Sequence, residues 1–290
     1  MAITTLRPER SRTSSSRLVH AERGRPVVAA QNLVFAYPGK SPAVSGFNFS
    51  LQRGEIISIV GPSGCGKSTL LRLFARLRAA SAGNVECNYG QDGRHGCSMV
   101  FQEDTLLPWL KVKENVALYY KFNRKRGAEA NEHVGQLLDM VGLSAFADYY
   151  PYQLSGGMKR RVAILTAVAP TPDLLLLDEP FSALDEPTRI GVHSDLHMLV
   201  RRLNISAVLV THDLAEAVSL SDRVLILSRP PSYVIEEVKI PFTETRDMME
   251  LRDDPRFLEL YGRLWHSLKA QITGRAAAAS SAKRVGEFGS

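Results

Sequence analysis

The five-residue run Ile56 to Val60, apolar at every position but Ser58, leads directly into Gly61-Pro62-Ser63-Gly64-Cys65-Gly66-Lys67-Ser68-Thr69. This junction restricts the fold more than any other stretch. A short, partly β-branched run followed by G-x-x-x-x-G-K-[ST] predicts a strand, a tight loop and a helix. The glycines let backbone N–H groups turn inward around phosphates, where side chains would collide. The helix N-terminus adds positive partial charge. Lys67 is placed to reach the β- and γ-phosphates, and Ser68 to hold Mg²⁺. A lysine at a helix start sits badly against the helix dipole unless an anion is bound there. A plain glycine-rich turn therefore leaves Lys67 without a reason. Alone, the loop implies a nucleotide and nothing narrower.

The second constraint is Leu174-Leu-Leu-Leu177-Asp178-Glu179-Pro180. Four consecutive leucines suit a strand buried on both faces of a parallel sheet. Asp178 then falls at the carboxyl edge, where ligands bind in such sheets. It would coordinate Mg²⁺ through water. Glu179 is placed to accept a proton from the water that attacks the γ-phosphate. In isolation the two acids could simply end a strand; a phosphate loop upstream gives them a common purpose.

Strands and helices alternate through the middle of the chain. Val34 to Tyr37, Ser98 to Phe101, Ala207 to Val210, Val224 to Leu227 and Tyr233 to Ile240 read as strands. Thr69 to Leu77, Pro187 to Leu203, Leu214 to Leu220 and Arg252 to Gln271 read as helices. Lys113 to Val168 is mostly helical, with a break at Tyr149 to Tyr152. The organisation is a parallel α/β core with a helical insertion at about 104–165. Residues 1–26 are rich in Arg and Ser without apolar periodicity, and read as a disordered basic tail. An organellar transit peptide shares that composition, although Glu9 and Glu22 weigh against it. Residues 27–274 form the folded domain. The Ala/Ser-rich stretch 275–290 reads as a second disordered tail.

Charge and cysteine content exclude little and favour little. Lys and Arg exceed Asp and Glu by 36 − 30 = 6, and six arginines lie in the first 25 residues. That excess suits anionic ligands, nucleic acid or an anionic membrane equally. Cys65, Cys87 and Cys97 form no disulfide framework, and Cys87, His95 and Cys97 fit no zinc spacing. No apolar run approaches the ~20 residues needed to span a bilayer.

Leu154-Ser155-Gly156-Gly157-Met158 opens a helix and resembles Leu-Ser-Gly-Gly-Gln, the signature of the ATP-binding-cassette ATPases. Ser155 could be an ordinary N-cap, but a cap does not require the glycine pair. A helix N-terminus with two glycines is a second anion cradle. Other elements of that family appear in order. Tyr37 matches the aromatic that stacks on adenine, although a strand aromatic can equally pack in a core. Gln102 matches the glutamine that senses Mg²⁺ and the attacking water. Ser182-Ala-Leu-Asp185 matches the loop that crosses the dimer interface, or else Asp185 simply caps a helix. His212, in Val210-Thr-His-Asp213, matches the histidine that touches the γ-phosphate. The resemblance covers about 28–240 and implies a P-loop NTPase core: a mostly parallel sheet, an antiparallel β subdomain and the helical insertion.

The resemblance implies an ATPase that binds ATP and Mg²⁺. Catalysis would fall to Glu179, His212 and Gln102. Tyr37, Gly61 to Thr69, Ser155, Gly156, Gly157 and Asp185 would bind nucleotide, and Ser68, Gln102 and Asp178 would hold the metal. In this family Ser155 to Gly157 serve the opposite subunit's ATP, which implies a head-to-tail dimer with a second ATPase subunit, expected to be a copy of this chain. Two transmembrane permease subunits and, indirectly, a solute-binding protein are the further partners, with no nucleic acid expected. The expected place is the cytoplasmic face of a bacterial inner membrane. Leu106, Leu107, Pro108 and Trp109 offer an apolar patch for a membrane partner, although ordinary packing accounts for part of it.

The phrase Val100-Phe-Gln-Glu-Asp-Thr-Leu-Leu-Pro-Trp109, with Met158, is similar to the importers of nitrate, sulfonates and taurine. Leu165-Thr-Ala-Val-Ala-Pro170 departs from the usual Ala-Arg-Ala-Leu. Thiamine-precursor importers, and cassette ATPases acting on nucleic acid, are the alternatives.

Overall fold

A computed structural model describes residues 24–90, 95–103, 105–124, 127–242 and 246–286. Residues 1–23, most of the first expected tail, and 287–290, the end of the second, lie outside the described residues. The main sheet has six strands in the order β5 (Cys97–Val100), β6 (Leu174–Asp178), β7 (Ser206–Val210), β3 (Ile56–Val60), β8 (Arg223–Leu227) and β9 (Val234–Lys239). All pairings are parallel except β8 with β9. A second, antiparallel sheet has the order β2 (Pro42–Leu51), β1 (Val28–Ala36), β4 (Ala82–Cys87).

The central strands are apolar throughout because both faces are covered. Leu175 and Leu177 face one core with Ala207 and Leu209, while Leu174 and Leu176 face another with Val208 and Val210. Helix α1 (Lys67–Phe74) packs between the sheets, where Phe74 stacks on Phe49 at 4.8 Å. On the opposite face lie α2 (Val112–Val116), α3 (Leu118–Phe122), α4 (Ala128–Met140) and α5 (Gly156–Val168), the helices of the expected insertion. The break foreseen at Tyr149 to Tyr152 is a 3₁₀ turn at Pro151–Gln153. The chain continues through α6 (Glu186–Arg202), α7 (Leu214–Leu220) and α8 (Pro255–Gly286).

Two expectations are corrected, and two strands are added. The strand read at Val34 to Tyr37 begins at Val28 and ends at Ala36, since Val28 and Ala30 are buried against β2 and β4. Strands β2 and β4 went unread. In β2 the apolar residues Phe47, Phe49 and Leu51 do alternate, but Gly46 at φ 69° interrupts the run. Helix α8 runs to Gly286, past the expected end near Gln271. Alanines at 276–279 have the highest helix propensity of any residue and extend it.

Candidate functional site

Strand register builds the site. Ile59 and Asp178 both pair with Val210, Val60 pairs with Ile226, and Val100 pairs with Leu177. Strands β3, β5, β6 and β7 therefore end level. The residues that follow them, Gly61, Gln102, Glu179 and His212, emerge along one carboxyl edge. A parallel sheet gathers at one edge what the sequence scatters over 150 residues.

At that edge the loop 61–66 closes tightly. A Cβ on Gly61 would lie 2.9 Å from Cys65 Sγ and 3.0 Å from Leu227 Cβ, so no larger residue fits. Gly64 and Gly66 take φ of 75° and 101°, which favours glycine. Cys65 is buried beneath the loop, and burial pushes its thiol pKa up; this thiol is packing, not chemistry. Pro62 accepts from the Cys65 N–H at 3.2 Å, while Ser63 and Gly64 face solvent. Lys67 is buried and donates to the carbonyls of Gly61 at 2.9 Å and Pro62 at 3.2 Å. Its ammonium is thus parked on the rim of the cradle it would share with a phosphate.

Ser68 Oγ donates to Asp178 Oδ1 at 2.9 Å. Two hard oxygen donors converging beside a phosphate cradle fit Mg²⁺, which takes few protein ligands and completes its shell with phosphate and water. Burial raises the Asp178 pKa, opposed by the Ser68 hydrogen bond; a cation at this point offsets that desolvation. Among the described residues no cluster of three or more His, Cys, Asp or Glu could hold a metal alone.

Glu179 adopts φ 45°, a left-handed conformation costly for a side chain with a Cβ. Its N–H is held by the Val210 carbonyl at 2.9 Å. The turn points the carboxylate at His212, whose Nδ1 lies 3.1 Å from Glu179 Oε2. Gln102 Nε2 donates to Ser182 Oγ at 3.3 Å, and that hydroxyl donates to the Glu179 carbonyl at 3.3 Å. Gln102 is therefore tied to the 182–185 loop rather than to the Ser68–Asp178 pair. Tyr37 has mixed surroundings. Its hydroxyl shares a hydrogen bond with Thr69 Oγ1 at 3.0 Å, its ring meets Phe35 edge-on at 5.0 Å, and Arg78 lies over its face at 5.1 Å.

Ser155 and Asp185 both cap helices. Ser155 Oγ accepts from Met158 N–H at 3.3 Å, and Asp185 Oδ2 from Thr188 N–H at 3.4 Å. Hydrogen bonds from Thr188 hold the Asp185 pKa below its usual range. The glycine pair lies beside α6: a Cβ on Gly156 would meet Leu184 at 3.9 Å and one on Gly157 would meet Thr188 at 2.3 Å. The second cradle is thus built against the 182–185 loop, with neighbours different from those of Lys67.

The structure adds residues that sequence reading missed. Arg160 is buried and donates to Phe101 O at 2.8 Å and to Gln102 O, clamping the Gln102 loop to the signature helix. Asn115, fully buried in α2, accepts from Leu107 N–H at 2.8 Å and donates to Leu107, Leu110 and Lys111 carbonyls at 3.2, 3.0 and 3.1 Å. It shapes the apolar patch, where Leu106 packs inward and Trp109 is 69% exposed. In sequence both looked like ordinary polar helix residues, and no local signal marks them.

A family profile described as ABC transporter matches residues 44–182. The aliphatic sulfonates import ATP-binding protein SsuB 2 of Pseudomonas syringae pv. tomato is 45% identical over 213 residues, covering 73% of this chain and 86% of that protein. The taurine import ATP-binding protein TauB of Jannaschia sp. is 34% identical, covering 83% and 93%. The nitrate import ATP-binding protein NrtC of Synechococcus elongatus is 39% identical, covering 82% of this chain but only 37% of that longer protein. Among solved structures, a dimeric bacterial ABC transporter cassette superposes with a TM-score of 0.62 at 32% identity, covering 74% of this chain and 100% of that one.

Proposed function

The chain belongs to the ATP-binding-cassette family of import ATPases, and from that premise we propose that it powers uptake of a small oxyanion: an aliphatic sulfonate, taurine or nitrate. The observation that carries the ATPase chemistry is the convergence of Lys67, Ser68, Asp178, Glu179 and His212 on one sheet edge. Sulfonate, taurine and nitrate import proteins among its relatives support the cargo class. Two copies of the chain face head to tail, each offering Ser155, Gly156 and Gly157 to the other's ATP. They sit on the cytoplasmic face of a bacterial inner membrane beneath two permease subunits, which a solute-binding protein supplies. No helix among the described residues is long and apolar enough to cross a membrane, so the path for cargo belongs to the permease. Trp109 and its neighbours provide the apolar surface on which a permease helix docks.

In hydrolysis, Tyr37 stacks on adenine and the 61–66 loop with α1 receives the phosphates. Lys67 exchanges the Gly61 and Pro62 carbonyls for phosphate oxygens. Ser68 and Asp178 would hold Mg²⁺, which would supply positive charge against the phosphates. Glu179 accepts the proton of the attacking water. His212 holds the Glu179 carboxylate in place and reaches the γ-phosphate, while Gln102 reports its presence. ATP binds the closed pair better than the open pair, and that difference in affinity drives closure.

The test is growth of a deletion strain on an alkanesulfonate as sole sulfur source, on nitrate as sole nitrogen source, and on sulfate with ammonium. Loss on one oxyanion alone, restored by the wild-type gene but not by Glu179→Gln, is the expected result. Normal growth on all three, with no second uptake system in the strain, refutes the cargo class and leaves the ATPase reading intact.

A further inference from the structure

Arg189 lies one turn into α6, four residues beyond the Asp185 cap, with its side chain 19% exposed. Its guanidinium reaches two loops of the site at once. Nη2 donates to the Leu184 carbonyl at 2.7 Å, in the 182–185 loop. Nη1 donates to Asp213 Oδ2 at 3.2 Å, in the residue after His212. The same Nη1 lies 3.3 Å from Glu186 Oε2, and Nε lies 3.8 Å from Glu216 Oε1. A planar guanidinium can serve acceptors in two directions from a fixed stem; an ammonium cannot do so with the same geometry.

The histidine loop is pinned on both sides of His212. Thr211 Oγ1 donates to the buried Glu216 at 2.6 Å and accepts from Asp213 N–H at 3.0 Å. Asp213 Oδ1 caps α7, accepting from Ala215 N–H at 2.7 Å and Glu216 N–H at 3.3 Å. The other Asp213 oxygen is the one Arg189 takes. His212 itself has a side chain 62% exposed and touches Glu179 at 3.1 Å. Its aim is therefore set by the residues on either side of it. Besides the Ser182–Glu179 contact, which reaches the carboxylate end of the pair, the 182–185 loop reaches the histidine loop through the Arg189 side chain, from Leu184 O to Arg189 to Asp213, the neighbour of His212.

We propose that Arg189 is a positioning residue for hydrolysis, linking the 182–185 loop to the histidine loop so that seating of the opposite subunit on the first fixes His212 against Glu179 in the second. This rests on the reading of His212 and of the 182–185 loop given above. Arg189 has no contact with the phosphate loop in this scheme, so it governs turnover and leaves ATP capture alone.

Steady-state hydrolysis by the full chain tests it, using Arg189→Met, Arg189→Lys, Asp213→Asn and the Arg189→Met/Asp213→Asn pair, with His212→Ala as control. Asparagine caps as well as aspartate, so Asp213→Asn breaks the bridge from its other end without uncapping α7. We expect kcat to fall about tenfold or more in Arg189→Met with KM for ATP within about twofold of wild type, the pattern of a lost turnover interaction. Arg189→Lys recovers part of the loss, and the double variant falls no further than the worse single one, because both remove one bridge. A kcat within about twofold of wild type in either single variant, or multiplying losses in the double, overturns the proposal. Should Arg189→Met fail to fold, Arg189→Lys and Asp213→Asn still decide it. Normal turnover by His212→Ala refutes the histidine reading itself and this proposal with it; loss of turnover there with normal Arg189 variants refutes this proposal alone.

Discussion

A Cβ placed on Gly157 would sit 2.3 Å from Thr188 Cγ2 and 3.8 Å from Thr188 Cβ. Carbon atoms rest at about 3.5–4.0 Å, so Gly157→Ala forces α5 and α6 apart or pushes the threonine aside. Threonine is branched at Cβ, and its χ1 is restricted within a helix. Overpacking of this kind costs about 1–3 kcal/mol. A loss of about 2 kcal/mol lowers the thermal midpoint of a domain this size by about 4–8 °C. Helix propensity alone gives the opposite sign, since alanine is favoured over glycine by up to about 1 kcal/mol. Gly156→Ala supplies that contrast: its Cβ would meet Leu184 at 3.9 Å, an ordinary contact, so stability should hold or rise slightly. Thr188→Ser removes the offending methyl and keeps the hydroxyl that binds Asp185. Calorimetry on the four variants should show Gly157→Ala melting early and Gly157→Ala/Thr188→Ser recovering most of the fall. A Gly157→Ala midpoint at or above wild type, or a double variant no better than the single, refutes the account of this glycine as a packing requirement.

Lys67→Ala should weaken ATP binding by about tenfold or more, since it removes a cation from the phosphate cradle; unchanged affinity by equilibrium titration counts against the cradle. Asn115→Ala strands the Leu110 carbonyl and the Leu107 N–H, while the Leu107 and Lys111 carbonyls keep their backbone donors at Leu110 and residue 115, costing about 1–3 kcal/mol, so faster proteolysis within 105–111 is expected while ATP hydrolysis by the free subunit persists; an unchanged cleavage pattern refutes it. Burial, reinforced by Arg246 and Arg201, lowers the His197 pKa from 6.5 to about 4. The unfolded chain therefore takes up this proton first, and the stability held above pH 6.5 is lost as pH falls to about 4. His197→Gln should flatten that limb in urea titrations, and parallel curves for the two proteins refute it.

Much of the site was legible because its chemistry is local. Phosphate binding needs consecutive N–H groups and a helix start, so Gly61 to Thr69 declare themselves within nine residues. Leu174 to Leu177 read as a strand because burial on two faces leaves no polar position, and Asp178 and Glu179 stand out by contrast. The antiparallel sheet was not legible in the same way. Ala82–Cys87 contributes few apolar residues of its own and is a strand because it pairs with β1, a condition no window of sequence contains.

The sequence by itself determined which groups this protein can bring to ATP, since their identities and order lie in short motifs with their own backbone requirements. Only the tertiary structure decided how those groups are held. The level ends of β3, β5, β6 and β7 bring Gly61, Gln102, Glu179 and His212 to one edge. Arg160 and Arg189 become tethers because folding places backbone carbonyls and a carboxylate within reach of their guanidinium groups. An arginine on a helix is written the same way whether it meets water or a loop 24 or 59 residues distant. The difference lies in long-range geometry, which is set by the packing of all the elements together and not by any stretch of the chain alone.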